Sequence, residues 1–151
     1  MAEHILETKQ VINRSREETF EFFGDAENLE RITPPELNFK ILTPRPIILE
    51  KGSLIDYKLK LRGFPISWRT EITEWRPPYS FIDSALRGPY NQWIHRHTFE
   101  ELEDGTTEIT DVVKYRLPFE PLGDLMHWYV RKELDYIFGY RYKAVDEILN
   151  T

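Results

Sequence analysis

The chain has 151 residues, 20 Lys/Arg against 26 Asp/Glu, a formal net charge of −6 and no cysteine. Its length suits one domain, its charge leaves no basic run to neutralise a phosphate backbone, and disulfides, thiol catalysis and thiolate-held metals are excluded. The opening MAEHILETKQ lacks a charged-then-apolar leader and no stretch approaches the ~18 apolar residues of a membrane span, so a cytoplasmic protein with no nucleic-acid partner and no stable membrane insertion is expected.

Residues 4–13 are rich in β-formers and predict a first strand. Ser15 stands three residues before Glu18, the spacing of a capping box, and Phe20, Phe22 and Phe23 follow as the apolar stripe of a short helix. Asp25 is placed to cap a second short helix running through Leu29 to Ile32, which Thr33-Pro34-Pro35 must end.

Six strands are then predicted at 37–42, 53–62, 66–75, 81–87, 91–101 and 106–117. The breaks between them fall at Lys51-Gly52, Gly63, Pro77-Pro78, Gly88-Pro89 and Asp104-Gly105, and connections this short imply antiparallel neighbours. Pro118 and Pro121 break the last strand. Beyond them Leu122, Leu125, Met126, Tyr129, Val130, Leu134, Ile137, Phe138, Val145 and Leu149 recur at helical spacing.

No linker or repeat interrupts this order, so residues 1–151 are read as a single α+β domain. A curved antiparallel sheet of about seven strands (β-α-α-β6-α) has more apolar area than two small helices can cover. The long C-terminal helix must therefore pack on its concave face. Aromatic residues make up 14% of the chain, which points to an aromatic-lined interior.

Several segments resemble a known group. Asp83, then Arg87-Gly88-Pro89-Tyr90-Asn91-Gln92-Trp93-Ile94-His95-Arg96-His97-Thr98-Phe99, Gly105-Thr106-Thr107 and Asp111-Val112-Val113-Lys114-Tyr115 are similar to a bacterial subfamily in which G-P-Y, W-x-H-x-H-x-F, G-T and D-x-V-x-Y recur together. Phe39, Gly52, Ile55-Asp56-Tyr57, Arg62-Gly63, Pro65, Trp68, Arg69 and Ile72 resemble the first half of its sheet. The subfamily belongs to the SRPBCC helix-grip superfamily of START-related, polyketide-cyclase-like and birch-pollen-allergen-like domains. The resemblance implies a helix-grip fold and a ligand-binding or cyclase/dehydrase-like role with no agreed substrate. It also implies a protein partner such as an epimerase-like enzyme, since these domains are sometimes fused to one.

Alternation on the strands sorts the chemistry. Trp93, His95, His97 and Phe99 share one face, as do Asp111 and Tyr115 on the next strand, and these are read as interior. A three-residue Glu103-Asp104-Gly105 turn would put His97 opposite Asp111 and Trp93 opposite Tyr115, an alignment that a two-residue Asp-Gly turn would break, and a turn around Gly88-Pro89-Tyr90 would bring Asp83 near His95 or His97. An inward His–Asp pair is the material of general acid–base catalysis, so His95, His97 and Asp111 are the candidate catalytic residues. The same groups can equally satisfy one another's hydrogen bonds as the polar anchors of a pocket wall.

His95-x-His97 with Asp111 and Asp83 could in principle ligate a metal, but the spacing is permissive, and neither metal nor cofactor is expected. No serine sits in a nucleophile-elbow context and no glycine-rich phosphate loop exists. Arg69 falls on the face opposite Trp68, and Tyr136, Tyr140 and Tyr142 with Arg141 are read as snorkelling at the surface.

The expected ligand-binding set is Trp68, Phe81, Asp83, Tyr90, Trp93, His95, His97, Phe99, Tyr115, Met126, Tyr129, Tyr136 and Tyr140, the helix residues on the strength of the resemblance. The expected function is binding or carriage of a small hydrophobic molecule, aromatic or lipid-like, in a cavity between sheet and helix. The alternative is a polyketide cyclase, aromatase or dehydratase using a His/Asp pair.

Overall fold

The computed structural model describes residues 2–119 and 122–151. One seven-stranded antiparallel sheet forms from β1 (His4–Ile12), β2 (Lys40–Ile41), β3 (Leu54–Leu61), β4 (Phe64–Arg76), β5 (Ser80–Arg87), β6 (Gln92–Glu101) and β7 (Thr107–Arg116). Its order, β1-β7-β6-β5-β4-β3-β2, brings the first strand back beside the last. Helix α1 (Arg16–Phe23) follows β1, and α2 (Leu122–Leu125) and α3 (His127–Leu149) follow β7.

Local chemistry sets these boundaries. Ser15 caps α1 by accepting from the Glu18 amide at 3.1 Å, while its own hydroxyl donates to the Glu18 carboxylate at 3.2 Å. Asp25 caps the next segment through the Glu27 amide at 3.0 Å, but Ala26–Arg31 is a 3₁₀ helix rather than an α-helix. The expected strand over 37–42 shrinks to Lys40–Ile41, because Pro35 opens a second 3₁₀ turn and Asn38, at φ +47°, leaves the extended region.

The β3–β4 hairpin closes through Arg62 and Gly63 at φ +53° and +80°, the left-handed pair that a two-residue turn requires. Gly105, at φ +85°, closes the three-residue β6–β7 loop and sets the expected register, with His97 opposite Asp111 and Trp93 opposite Tyr115.

Helix α3 lies across the sheet. Its buried residues Val130, Leu134, Phe138, Val145 and Leu149 fall on one stripe. The first three pack with Trp93, Val113 and Tyr115, and the last two with Ile12, Phe20, Phe99 and Ile109. A third cluster, Ala26, Ile41, Leu49, Ile55 and Ile72, holds the far end of the sheet.

The expected long helix beginning near Leu122 is corrected to two pieces. Helix α2 has no buried residue, and burial on α3 starts only at Val130, so Leu122, Leu125, Met126 and Tyr129 are exposed. Pro121, expected to break β7, lies outside the described residues. Among the described residues no helix is long and apolar enough to cross a membrane.

Candidate functional site

Strict alternation on β6 and β7 turns Trp93, His95, His97 and Phe99, with Asp111, Val113 and Tyr115, toward α3. Asp83 is directly across from His95 in the β5–β6 register, so two carboxylates flank two imidazoles. The His95 and His97 rings stack at 3.7 Å, and Phe81 stacks on the outer face of His97 at 4.1 Å.

Each imidazole spans the gap between the carboxylates. His95 Nε2 lies 2.8 Å from Asp111 Oδ1, and its Nδ1 is 3.9 Å from Asp83 Oδ2. His97 Nε2 lies 2.6 Å from Asp83 Oδ2, and its Nδ1 is 3.1 Å from Asp111 Oδ1. An ionised carboxylate can only accept, so the close contacts put a proton on His95 Nε2 and one on each nitrogen of His97.

Arg141 completes the cluster from α3, with Nη2 3.7 Å from Asp111 Oδ1 and its guanidinium over the rings of Phe23 and Phe138.

The charge states follow. Burial opposes the charged form of His97, but the carboxylates of Asp111 and Asp83 outweigh it and raise the pKa. Burial and the neighbouring charge of His97 lower His95. Burial pushes both carboxyls up. The attraction of Arg141 and the two imidazoles prevails at Asp111, which ends well below the usual carboxylate range. His97, His95 and Arg141 likewise bring Asp83 down. With His97 and Arg141 charged against Asp83 and Asp111, the cluster is neutral as a whole.

The cluster forms one corner of a cavity of about 190 Å³, an order of magnitude above the ~15 Å³ that admits one water. Trp68, Tyr90 and Trp93 form an aromatic wall with Phe81; Trp68 and Trp93 meet edge to face at 5.5 Å, and Tyr90 stacks on Trp93 at 4.9 Å. A second polar point lies on β3 and β4, where the Tyr57 hydroxyl and Thr70 Oγ1 are 2.8 Å apart and Trp68 Nε1 donates to the same oxygen at 3.1 Å.

Of the expected ligand-contacting residues, Trp68, Phe81, Asp83, Tyr90, Trp93, His95 and His97 line this cavity. Six others do not. Phe99 is core, packed on Phe20 at 5.1 Å. Tyr115 is buried, but its hydroxyl meets His127 Nε2 at 2.6 Å, away from the cavity. Met126 and Tyr129 sit on the exposed start of α3. Tyr136 and Tyr140 each follow a buried position, Leu134 and Phe138, by two residues, which turns them ~200° off the buried stripe. The Tyr136 hydroxyl instead donates to the Glu36 carboxylate. Asp111, a catalytic candidate, lies behind the histidines and off the cavity wall.

Arg69 pairs with Asp56 on the outer face, at 2.7 and 3.0 Å. Arg141 is the reverse. Expected at the surface, it is 14% exposed and lines the cavity. Its position was readable, since 141 falls on the 134-138-145 stripe. Tyr57 and Thr70 likewise alternate in phase with buried Ile55 and Ile72. Leu29 reaches the cavity from the 3₁₀ helix Ala26–Arg31, and Phe39 and Leu49 from irregular segments whose sequence carries no period.

No protein-family model matches the sequence, and no curated protein matches it. Solved structures do resemble the fold. A Thermus thermophilus protein, TTHA0849, superposes with a TM-score of 0.75 at 16% identity, covering 95% of each chain. The Zhui aromatase/cyclase of Streptomyces sp. R1128 gives 0.75 at 12% identity, covering 95% of this chain and 92% of its own. A START superfamily protein from Mycobacterium smegmatis gives 0.71 at 13%, with 96% and 99% covered. At such identities the likeness is one of fold.

Proposed function

From a helix-grip fold shared with START and aromatase/cyclase proteins, we propose that this protein encloses a small, largely apolar molecule whose uncharged, oxygen-bearing end rests against Asp83, His95, His97 and Arg141. The observation that carries the reading is the cavity wall, mostly apolar and aromatic, with a corner of mutually compensated charge and the Tyr57–Thr70 hydroxyl pair among its polar points. Flat rings such as Trp68, Tyr90 and Trp93 favour a planar aromatic occupant over a flexible chain. A hydroxyl or carbonyl suits the corner because an added charge would leave the neutral cluster unbalanced.

Native mass spectrometry of freshly isolated protein, followed by titration of ligand-stripped protein with an apolar fluorescent dye, tests this. A one-to-one dye complex displaced by planar phenols is expected. Absence of both a co-isolated molecule and saturable dye binding contradicts the proposal.

One observation favours a catalytic second reading. With Nε2–H given to Asp111, His95 Nδ1 is left as an acceptor beyond hydrogen-bond reach of Asp83, beside the protonated His97. A neutral base next to an imidazolium acid, both buried, suits proton transfer in a cyclisation or dehydration. Loss of turnover in Asp111→Asn with probe affinity retained would separate that enzyme from a carrier.

A further inference from the structure

We propose that Asp83, His95 and His97 form a binding site for a single borderline divalent transition ion, of which zinc is the type, open on one side to the apolar cavity. One oxygen or nitrogen from each of these residues lies within 4.8 Å of the others. The ligand atoms are Asp83 Oδ2, His95 Nδ1 and His97 Nε2, the three that converge on the Asp83 side of the stacked rings.

The separations bracket what an ion requires. Tetrahedral ligands at about 2.0–2.1 Å from zinc stand ~3.3 Å apart. Asp83 Oδ2 lies 2.6 Å from His97 Nε2 and 3.9 Å from His95 Nδ1. Closing on one ion needs the carboxylate to move away from His97 Nε2 toward His95 Nδ1, and the two rings, now stacked at 22°, to fan apart so that both in-plane lone pairs aim at one point. The ion enters as the proton on His97 Nε2 leaves to solvent, which takes the neutral cluster to +1, a charge that a hydroxide or oxyanion at the open position offsets; His95 Nδ1, too far from Asp83 for a hydrogen bond, gains a partner.

The opposite edges of the rings supply an independent observation. A ligating imidazole generally gives its other N–H to a carboxylate that fixes its tautomer and orientation. Here both do so, to the same atom: His95 Nε2 is 2.8 Å and His97 Nδ1 is 3.1 Å from Asp111 Oδ1. Arg141 compensates Asp111 from behind at 3.7 Å. Asp111 is therefore a positioning residue, held off the cavity, while Asp83, His95 and His97 line it.

Two imidazoles and one carboxylate suit zinc, cobalt(II) or iron(II) over magnesium or calcium, and three protein ligands leave a position for water or an oxygen of the enclosed molecule.

Ion binding does not depend on the enclosed-ligand reading, and the two fail separately in one experiment. Tag-free protein, stripped with chelator and dialysed, is titrated with cobalt(II) and with zinc, while a parallel sample is titrated with the apolar dye. One equivalent of cobalt(II) with tetrahedral visible bands, displaced by zinc, and a melting temperature that rises with zinc concentration are expected. Asp83→Asn and His97→Gln should each weaken zinc by about 100-fold or more, and Asp111→Asn by about 10–100-fold. His127→Gln, at the distant His4–His127 pair, should leave it unchanged.

Wild-type protein that binds neither ion saturably overturns the proposal without recourse to any variant. So does zinc affinity that survives in folded Asp83→Asn and His97→Gln, whatever His127→Gln does. Dye binding without ion binding sinks the metal site alone; ion binding without dye binding sinks the enclosed-ligand reading alone.

Discussion

Arg141 of α3 and Asp111 of β7 meet at 3.7 Å beneath the stacked histidines, and this contact ties the gripped helix to the polar corner of the cavity. Asp111 Oδ1 already takes His95 and His97, so Arg141 is what keeps a second buried carboxylate tolerable beside Asp83.

Arg141→Met should therefore destabilise the protein by about 1–3 kcal/mol, since it leaves buried charge undercompensated. Urea unfolding should show a lower midpoint at unchanged slope. Pairing Arg141→Met with Asp111→Asn in a double-mutant cycle should return a coupling energy, and strict additivity would mean the contact carries no energy.

Cavity-lining and non-lining aromatics should separate on binding. Trp68→Ala removes one of the packed aromatic walls and should weaken a planar aromatic probe about three- to tenfold. Tyr136→Phe and Met126→Ala should leave probe affinity unchanged, because neither side chain reaches the cavity. Fluorescence titration of the three variants decides the matter.

Ser15→Ala should cost about 1 kcal/mol, the usual loss when a helix N-cap hydroxyl is removed. Chemical denaturation measures it. Probe affinity should survive, since Ser15 lies off the cavity wall.

At the other end of the sheet, His127 faces the His4 ring at 3.6 Å, the Tyr115 hydroxyl at 2.6 Å, and the charges of Asp124 and Arg131. Burial, His4 and Arg131 together lower its pKa against the opposing pull of Asp124. A histidine depressed by folding binds fewer protons in the native state than in the unfolded one. Its contribution is therefore present above the unfolded pKa of about 6.5 and is lost as pH falls from there through the folded value. Melting temperature against pH should fall less steeply below pH ~6.5 in His127→Gln than in wild type; parallel curves would remove His127 from the acid response.

The pairing of His97 with Asp111 was legible because Glu103-Asp104-Gly105 fixes loop length, and loop length fixes which residues face each other. The alternation of Trp93, His95, His97 and Phe99 then settled their face, and hence the convergence on Asp83. A shared face is not a shared site, however: Phe99 lies two residues beyond His97, under α1, where Phe20 and Phe23 enclose it.

Arg141 reads as a surface residue because a guanidinium ordinarily seeks water; only the pairing with Asp111 and the rings of Phe23 and Phe138 make its burial tolerable, and those partners come from other elements or from the turn before it. Tyr129, Tyr136 and Tyr140 enter the expected ligand-binding set through the family resemblance, against their own helical phase. Segments without a period, such as those bearing Phe39 and Leu49, are placed by tertiary packing alone.

The most direct test uses the four tryptophans as reporters. Indole N–H resonances are followed by NMR while ligand-stripped protein is titrated with a planar aromatic phenol. Trp68 and Trp93 line the cavity and Trp128 is exposed on the first turn of α3. Saturable one-to-one shifts at Trp68 and Trp93, with Trp128 unmoved, are expected. Shifts confined to Trp128, or no saturable shift at any indole, would contradict an enclosed aromatic ligand.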